Sequence, residues 1–421
     1  MKLYPHQTEA LNLIKDFNRC AVYYDMGLGK TYIGSEKLHQ LGTKVNLVIC
    51  QKSKVNDWIN HFNDNYMYKV FNLTIPKQLS DFLGMVQGER FSIVGVINYD
   101  LAWRRRDLLS LTDYTLMLDE SSLITNTTAK RSKYILKLTP ANVILLSGTP
   151  TAGKYEKLWS QLKLLGWNIS EDMYWKSYVD YEWVDRNGFW DKQVNGYKNI
   201  DHLKSRLAKF GAIFKKTEEV INLPEQIPVN ISIEPSKEYK RFTKSHYVTI
   251  GDKEFIGDNV LTRILCERQL CGSYSEDKLT AFTDLVESTE DRLIVFYNYN
   301  DELYKLMSLT DRPTSVINGN TKDLTAYEQN DNSITFVQYQ AGAYGLNLQK
   351  ANKVIYYTLP LGLGSCDLWE QSKKRIHRIG QDKPCFYYYL LVKNSIEEWN
   401  FDLLKKGKEL TDELFTENLR V

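Results

Sequence analysis

The sequence predicts an α/β protein made of two tandem parallel-sheet lobes with a helical, aromatic-rich insertion between them. Short apolar, β-rich runs alternate with helical patterns of about ten to fifteen residues, the rhythm of βαβ units. That rhythm occurs twice along the chain. Between the two blocks lies a stretch of different texture, from about Gly153 to Glu276.

In the first block the predicted strands are CAVYY (20–24), VNLVIC (45–50), FSIVGVI (91–97), YTLMLD (114–119) and NVILLS (142–147). The intervening stretch mixes aromatic and charged residues without a clean strand period, as in MYWKSYVDYEWVDRNGFWD (173–191), and predicts a helical insertion over about 153–220. INLPEQIPVNISIEP (221–235) carries three prolines in fifteen residues and suits an extended connection better than a helix. The lobe boundary is therefore placed near Glu225, giving lobes 1–225 and 226–421. In the second block the predicted strands are RLIVFY (292–297), TSVIN (314–318), ITFVQY (334–339), KVIYYT (353–358) and CFYYYLLV (385–392).

Composition narrows the class. The chain has 421 residues, 43% hydrophobic and 25% charged, which excludes a disordered or collagen-like protein. Lys and Arg number 54 against 52 Asp and Glu, a net charge of +2, which argues against a histone-like binder held by bulk charge. Local basic grooves remain compatible with that balance. Six cysteines with no C-x-x-C pair read as reduced thiols of a cytosolic protein. The segment MKLYPHQTEALNLIKDF lacks the apolar core of a secretory signal, and no uncharged apolar run approaches the roughly 20 residues that span a bilayer.

Two motifs carry chemistry. Residues 23–31, YYDMGLGKT, place Gly27, Gly29, Lys30 and Thr31 between a strand and the helix YIGSEKLHQL. The glycines let backbone N–H groups close on phosphates, Lys30 brings a positive charge to the β and γ groups, and Thr31 can hold Mg²⁺. A full G-x-x-x-x-G-K-S/T pattern would need glycine where Tyr24 stands, and a glycine-rich turn capping a helix would share this texture. The second motif, YTLMLDESS, ends an apolar strand on Asp119 and Glu120. An Asp there can hold Mg²⁺ through water, and the adjacent Glu can orient or deprotonate an attacking water.

Taken in order, these residues resemble the Snf2-like family of superfamily 2 double-strand DNA translocases, and the match runs through most of the chain. The resemblance implies RecA-like lobes, ATP and Mg²⁺ as cofactors, and DNA, duplex or branched, as partner. LYPHQ (3–7) is similar to the family's adenine-reading segment, with Gln7 on the base edge, and DMGLGKT to its first motif, in which the first glycine is also absent. LVICQKSKVNDWINHF (47–62) is similar to the next motif, which implies a phosphate-backbone contact for Ser53 and a packing role for Trp58. INYDLAW (97–103) implies that Asn98 and Tyr99 face the tracked strand. LDESS departs from the family's D-E-x-H at Ser122, which puts the coupling of hydrolysis to DNA in doubt. LLSGTPTA (145–152) resembles the coupling motif, in which Ser147 and Thr149 would bond the acidic loop.

In the second lobe, FYNYNDEL (296–303) resembles the start of a DNA-facing groove and marks Asn298. The glycine-rich turn of YQAGAYGLNLQKANKVIYYTLP (339–360) marks Gly342, Gly345 and Asn347. WEQSKKRIHRIGQ (369–381) matches a Q-x-x-x-R-x-H-R-I-G-Q pattern. It implies a nucleotide-facing Gln371 and arginine fingers at Arg375 and Arg378, which fall on one side of a helix three residues apart. The family's lobes form a cleft that ATP closes and hydrolysis releases. The resemblance therefore implies a DNA-dependent ATPase translocating on duplex DNA without obligatory strand separation. A strand-separating helicase or an ATP-gated clamp are the alternatives. The small size resembles compact members of bacteria and bacteriophages, so a monomer in bacterial or phage-infected cytoplasm is expected, with protein partners unknown.

Overall fold

The computed structural model describes residues 3–86, 88, 92–151, 154–186, 189–220, 222–339, 346–362, 364–378 and 380–416, with backbone alone for 186, 189 and 408–416. The chain divides into two compact units, one of residues 1–221 together with 409–421, the other of residues 222–408.

The first unit holds β1 (Arg19–Tyr24), β2 (Val45–Cys50), β3 (Lys69–Asn72), β4 (Ile93–Asn98), β5 (Tyr114–Asp119), β6 (Asn142–Leu146), a hairpin of β7 (Val179–Arg186) and β8 (Phe189–Tyr197), and β9 (Ala212–Lys215). Seven of these form one sheet in the order β3-β4-β2-β5-β6-β1-β9, every neighbouring pair parallel. Alternate side chains feed two cores on opposite faces. Leu47, Ile49, Leu116, Leu118 and Leu145 point into one, and Val48, Cys50, Met117, Ile144 and Leu146 into the other. Burial on both faces is why these strands read as near-continuous apolar runs, broken by the buried Asn46 and Thr115.

The 153–220 segment is helical only in part. It contains helices Trp159–Leu164, Glu171–Tyr178 and Ile200–Lys209, but also the antiparallel β7–β8 ribbon, and it ends in β9, which joins the sheet beside β1. The ribbon escaped the sequence reading because it has no buried face to impose an apolar-polar period. Instead Lys192 lies over the rings of Trp175, Tyr181 and Trp183 at 4.6, 4.7 and 5.4 Å.

In the second unit β10 (Gln226–Ile233), β13 (Leu293–Tyr297), β14 (Thr314–Ile317), β15 (Ile334–Gln338), β16 (Lys353–Tyr356) and β17 (Cys385–Val392) form an all-parallel sheet ordered β10-β17-β16-β13-β15-β14. A small hairpin of β11 (Tyr247–Ile250) and β12 (Lys253–Ile256) precedes helix Val260–Gly272. The proline-rich connection is extended, as expected, but also pairs with β17 as the edge strand β10. An edge is where a sheet tolerates a proline such as Pro228. Among the described residues, no helix is long and apolar enough to cross a membrane.

Candidate active site

Parallel strands bring their carboxyl ends to one edge of the sheet, where ligands of open α/β sheets bind. In the first unit that edge collects the loops after β1, β2, β4, β5 and β6. The loop after β1 turns through two left-handed glycines, Gly27 at φ +87° and Gly29 at φ +72°, and Gly29 caps helix Lys30–Leu41, which carries Thr31 in its first turn. Lys30 Nζ donates to the carbonyls of Tyr24 (2.7 Å) and Asp25 (3.2 Å), curling the ammonium over the loop. A methyl group placed on Gly148 would lie 3.4 Å from Lys30 Nζ, so the turn after β6 borders the same ammonium.

Gln7 is buried against this loop. Its Oε1 accepts from the backbone N–H of Tyr4 at 2.9 Å, and its Nε2 donates to Leu28 O at 3.4 Å. His6 Nε2 lies 3.0 Å from the same carbonyl. A Cβ on Gly29 would come within 2.1 Å of Gln7 Nε2. The adenine-segment candidate and the phosphate loop are thus in contact, though Gly29 lies 22 residues after Gln7.

Asp119 ends β5, and Glu120 follows in a left-handed conformation, φ +56°. Burial pushes the Asp119 carboxyl up, opposed first by a hydrogen bond from Trp58 and then by the charges of Lys30 and Lys54. Trp58 Nε1 donates to Asp119 Oδ2 at 2.8 Å. The Tyr99 hydroxyl donates to the carbonyls of Asp119 (2.9 Å) and Glu120 (3.3 Å). Beside this corner, Gln161 Oε1 accepts from Ser121 Oγ (2.7 Å) and Tyr23 OH (3.0 Å), while its Nε2 donates to Pro150 O (2.7 Å). Gln161 therefore links the acidic loop to the turn after β6, and within that turn Ser147 Oγ accepts from the Thr149 N–H at 3.1 Å. Ser122 is buried. Asp119 and Thr31 offer hard oxygen donors of the kind Mg²⁺ takes, leaving its other positions to phosphate oxygens and water.

The DNA-facing candidates fare unevenly. Ser53 is exposed in a 3₁₀ turn, Lys52–Lys54, at the same sheet edge. Asn98 and Tyr99 do not face outward, and that expectation is corrected: they are 4% and 3% exposed, because Tyr99 turns its hydroxyl onto the β5 carbonyls. In the second unit Asn298 follows β13 and uses its amide on Thr358 Oγ1 (2.9 Å) and Leu359 O (3.1 Å), fastening two strand ends. Asn347 is exposed. Gly342 and Gly345 lie outside the described residues.

Arg375 and Arg378 are not on a helix. Helix Ser365–Lys373 ends before them, and the turns that follow bring both guanidiniums onto one carbonyl, Leu346 O, at 3.1 and 3.3 Å. Arg378 also donates to Asn347 Oδ1, and burial lowers its pKa. Gln371 is wholly buried, its side-chain amide has no hydrogen-bond partner among the described residues, and its backbone carbonyl accepts from Arg375 Nε at 3.1 Å. Gln381 Nε2 locks the same turn onto Ala351 O at 2.8 Å.

Family models match most of the chain. The model of the SNF2-related domain matches residues 6–275, and that of the helicase conserved C-terminal domain matches residues 277–380. Similar proteins include a putative ATP-dependent helicase/translocase, YwqA, of Bacillus subtilis, 25% identical over 73% of this chain and 36% of its own length. Another is the human DNA annealing helicase and endonuclease ZRANB3, 21% identical over 97% of this chain and 40% of its own length. The solved Sulfolobus solfataricus SWI2/SNF2 ATPase core in complex with dsDNA aligns at 18% identity and TM-score 0.46, over 99% of this chain and 94% of that one. The chain spans about half the length, or less, of the first curated relatives it matches. With the SNF2-related model covering well over half of its residues, the chain belongs to the SNF2-related family and carries a helicase conserved C-terminal domain besides.

Proposed function

We propose that the protein is a DNA-dependent ATPase that converts hydrolysis into translocation along duplex DNA without obligatory strand separation. The observation that carries this reading is the meeting, at one sheet edge, of Gln7, the Gly27–Gly29 loop and Lys30 with a half-buried Asp119–Glu120 corner on which the Lys30 charge acts. Family membership and relatives named as helicases and translocases support it.

In this reading Gln7 reads the adenine edge, the loop N–H groups cradle the phosphates and Lys30 binds the β and γ oxygens. Thr31 and Asp119 would hold Mg²⁺, which neutralises phosphate charge when bound. Glu120 orients the attacking water and takes its proton. The charge that builds on the transferred phosphoryl group is the target of Arg375 and Arg378. Ser53 and Asn347, both exposed, are proposed DNA contacts, and binding through phosphates should be sequence-blind and salt-sensitive.

The test is an ATPase titration with single-stranded, duplex and forked DNA, run beside triplex-displacement and strand-displacement assays. Duplex should stimulate turnover and support triplex displacement, whereas efficient unwinding of a blunt duplex would overturn translocation without strand separation. Glu120→Gln should keep ATP binding and lose about 10²-fold or more in turnover, the usual weight of a general base. A variant that hydrolyses like wild type would remove Glu120 from that role.

A further inference from the structure

The packing of helix Val55–Asn65 joins the Ser53 turn to the acidic corner in a way that the motif order does not disclose. The helix starts directly after the Lys52–Lys54 turn and buries Val55, Trp58 and Phe62 on one face. Trp58 is 2% exposed, wedged between Phe62 (ring centroids 5.7 Å apart) and His61 (5.8 Å). From there its indole N–H reaches across the sheet edge to Asp119 Oδ2 at 2.8 Å. Lys54, which closes the turn, bonds Asp57 at 2.8 Å and so ties the turn to the helix's first residues. Trp58 lies four positions beyond Lys54, about one helical turn or 6 Å along the axis. The turn and the indole thus lie on one packed element.

The consequence concerns Asp119. With Oδ2 accepting from Trp58, the indole helps to set the rotation of the carboxylate that would hold Mg²⁺ in the reading above. Tyr99 fixes the backbone of the same corner from the other side, through the carbonyls of Asp119 and Glu120. We propose that Trp58 is a positioning residue that couples DNA contact at the Lys52–Lys54 turn to the orientation of the Asp119 carboxylate, and so to DNA stimulation of hydrolysis. The inference rests on the ATPase reading given above and adds to it the route by which DNA is sensed.

The test replaces Trp58 in the full chain by Phe, which keeps a ring but has no N–H, and separately by 3-benzothienylalanine, which keeps the bicycle and exchanges N–H for sulfur. ATPase is measured with and without saturating duplex DNA, at a series of Mg²⁺ concentrations, beside the thermal midpoint. Both variants should lose about tenfold or more of the DNA stimulation ratio, the scale of one hydrogen bond to a charged group. Both should also need more Mg²⁺ for half-maximal turnover with DNA bound. The benzothienyl variant should melt like wild type, which separates lost coupling from lost packing. Ser53→Glu should raise the DNA concentration giving half-maximal stimulation and leave the maximum in place. If the benzothienyl variant keeps the wild-type ratio, or loses the DNA-free and DNA-stimulated rates by one common factor, the coupling role is overturned while the ATPase reading stands. A wild-type protein that hydrolyses ATP with no response to DNA overturns both.

Discussion

At the scale of single residues the site depends on a few side chains whose backbones allow nothing else. Gly29 sits at φ +72°, where an L side chain costs about 1–2 kcal/mol, and its missing Cβ leaves the space that Gln7 Nε2 occupies. Gly29→Ala should therefore weaken binding of a fluorescent ATP analogue by about tenfold or more, combining backbone strain with displacement of Gln7. Adding Gln7→Ala should relieve the clash but not the strain, so the double variant should be destabilised less than the sum of the single changes. Additive losses in a thermal or urea melt would show that the two residues do not share that space. The phosphate loop and the acidic pair were legible in the sequence because their chemistry is contiguous in the chain. Trp58 and Gln161 were not, since their partners Asp119 and Ser121 lie 61 and 40 residues away and nothing local announces a hydrogen bond across a sheet. Asn98 and Tyr99 show the converse. A motif gives their place at a strand end, but only packing decides that Tyr99 turns inward.

At the scale of elements, apolar runs predicted the central strands nearly to the residue, because a strand buried on both faces has few polar positions, with Asn46, Thr115 and Thr335 among the buried exceptions. Three of the four edge strands of the two large sheets were missed for the opposite reason, β14 alone having been read as TSVIN. KVFN and AIFK are four residues long and partly exposed, and QIPVNISI has only Ile233 buried, so none forms a continuous apolar run. The short helix Trp159–Leu164 matters more than its length suggests, because it carries Gln161. One amide there satisfies Tyr23 OH, Ser121 Oγ and Pro150 O together, tying β1, the acidic corner and the turn after β6. Gln161→Leu leaves these groups buried without that partner and should cost about 1–3 kcal/mol in urea unfolding, the weight of an unsatisfied buried polar group. Because the acidic corner and the Gly148 turn beside Lys30 then lose their common anchor, kcat should fall further than KM for ATP rises. A variant that only loses stability, with both constants unchanged, would confine Gln161 to the fold.

At the scale of the whole molecule, the repeated rhythm of the sequence corresponds to two units whose cores are separate. Among the described residues, the two clusters of the first unit draw on nothing beyond Val220, and those of the second on nothing before Ile231. A compact unit with a hydrophobic core of its own is of the kind that folds alone. A fragment of residues 1–221 should therefore give a cooperative melt. It should also bind an ATP analogue with Mg²⁺, since Gln7, the phosphate loop, Asp119 and Glu120 are all in it. What it lacks is Arg375 and Arg378, and an arginine acting on a transferred phosphoryl group is worth about 10³- to 10⁵-fold in rate. Turnover of the fragment, with or without duplex DNA, should accordingly fall by about 10³-fold or more while analogue affinity stays within about threefold of the full chain. The full-length Arg375→Ala and Arg378→Ala variants should reproduce that split between binding and rate. If the fragment hydrolyses ATP as fast as the intact protein, the arginines have no part in the chemistry, and the second unit serves DNA alone.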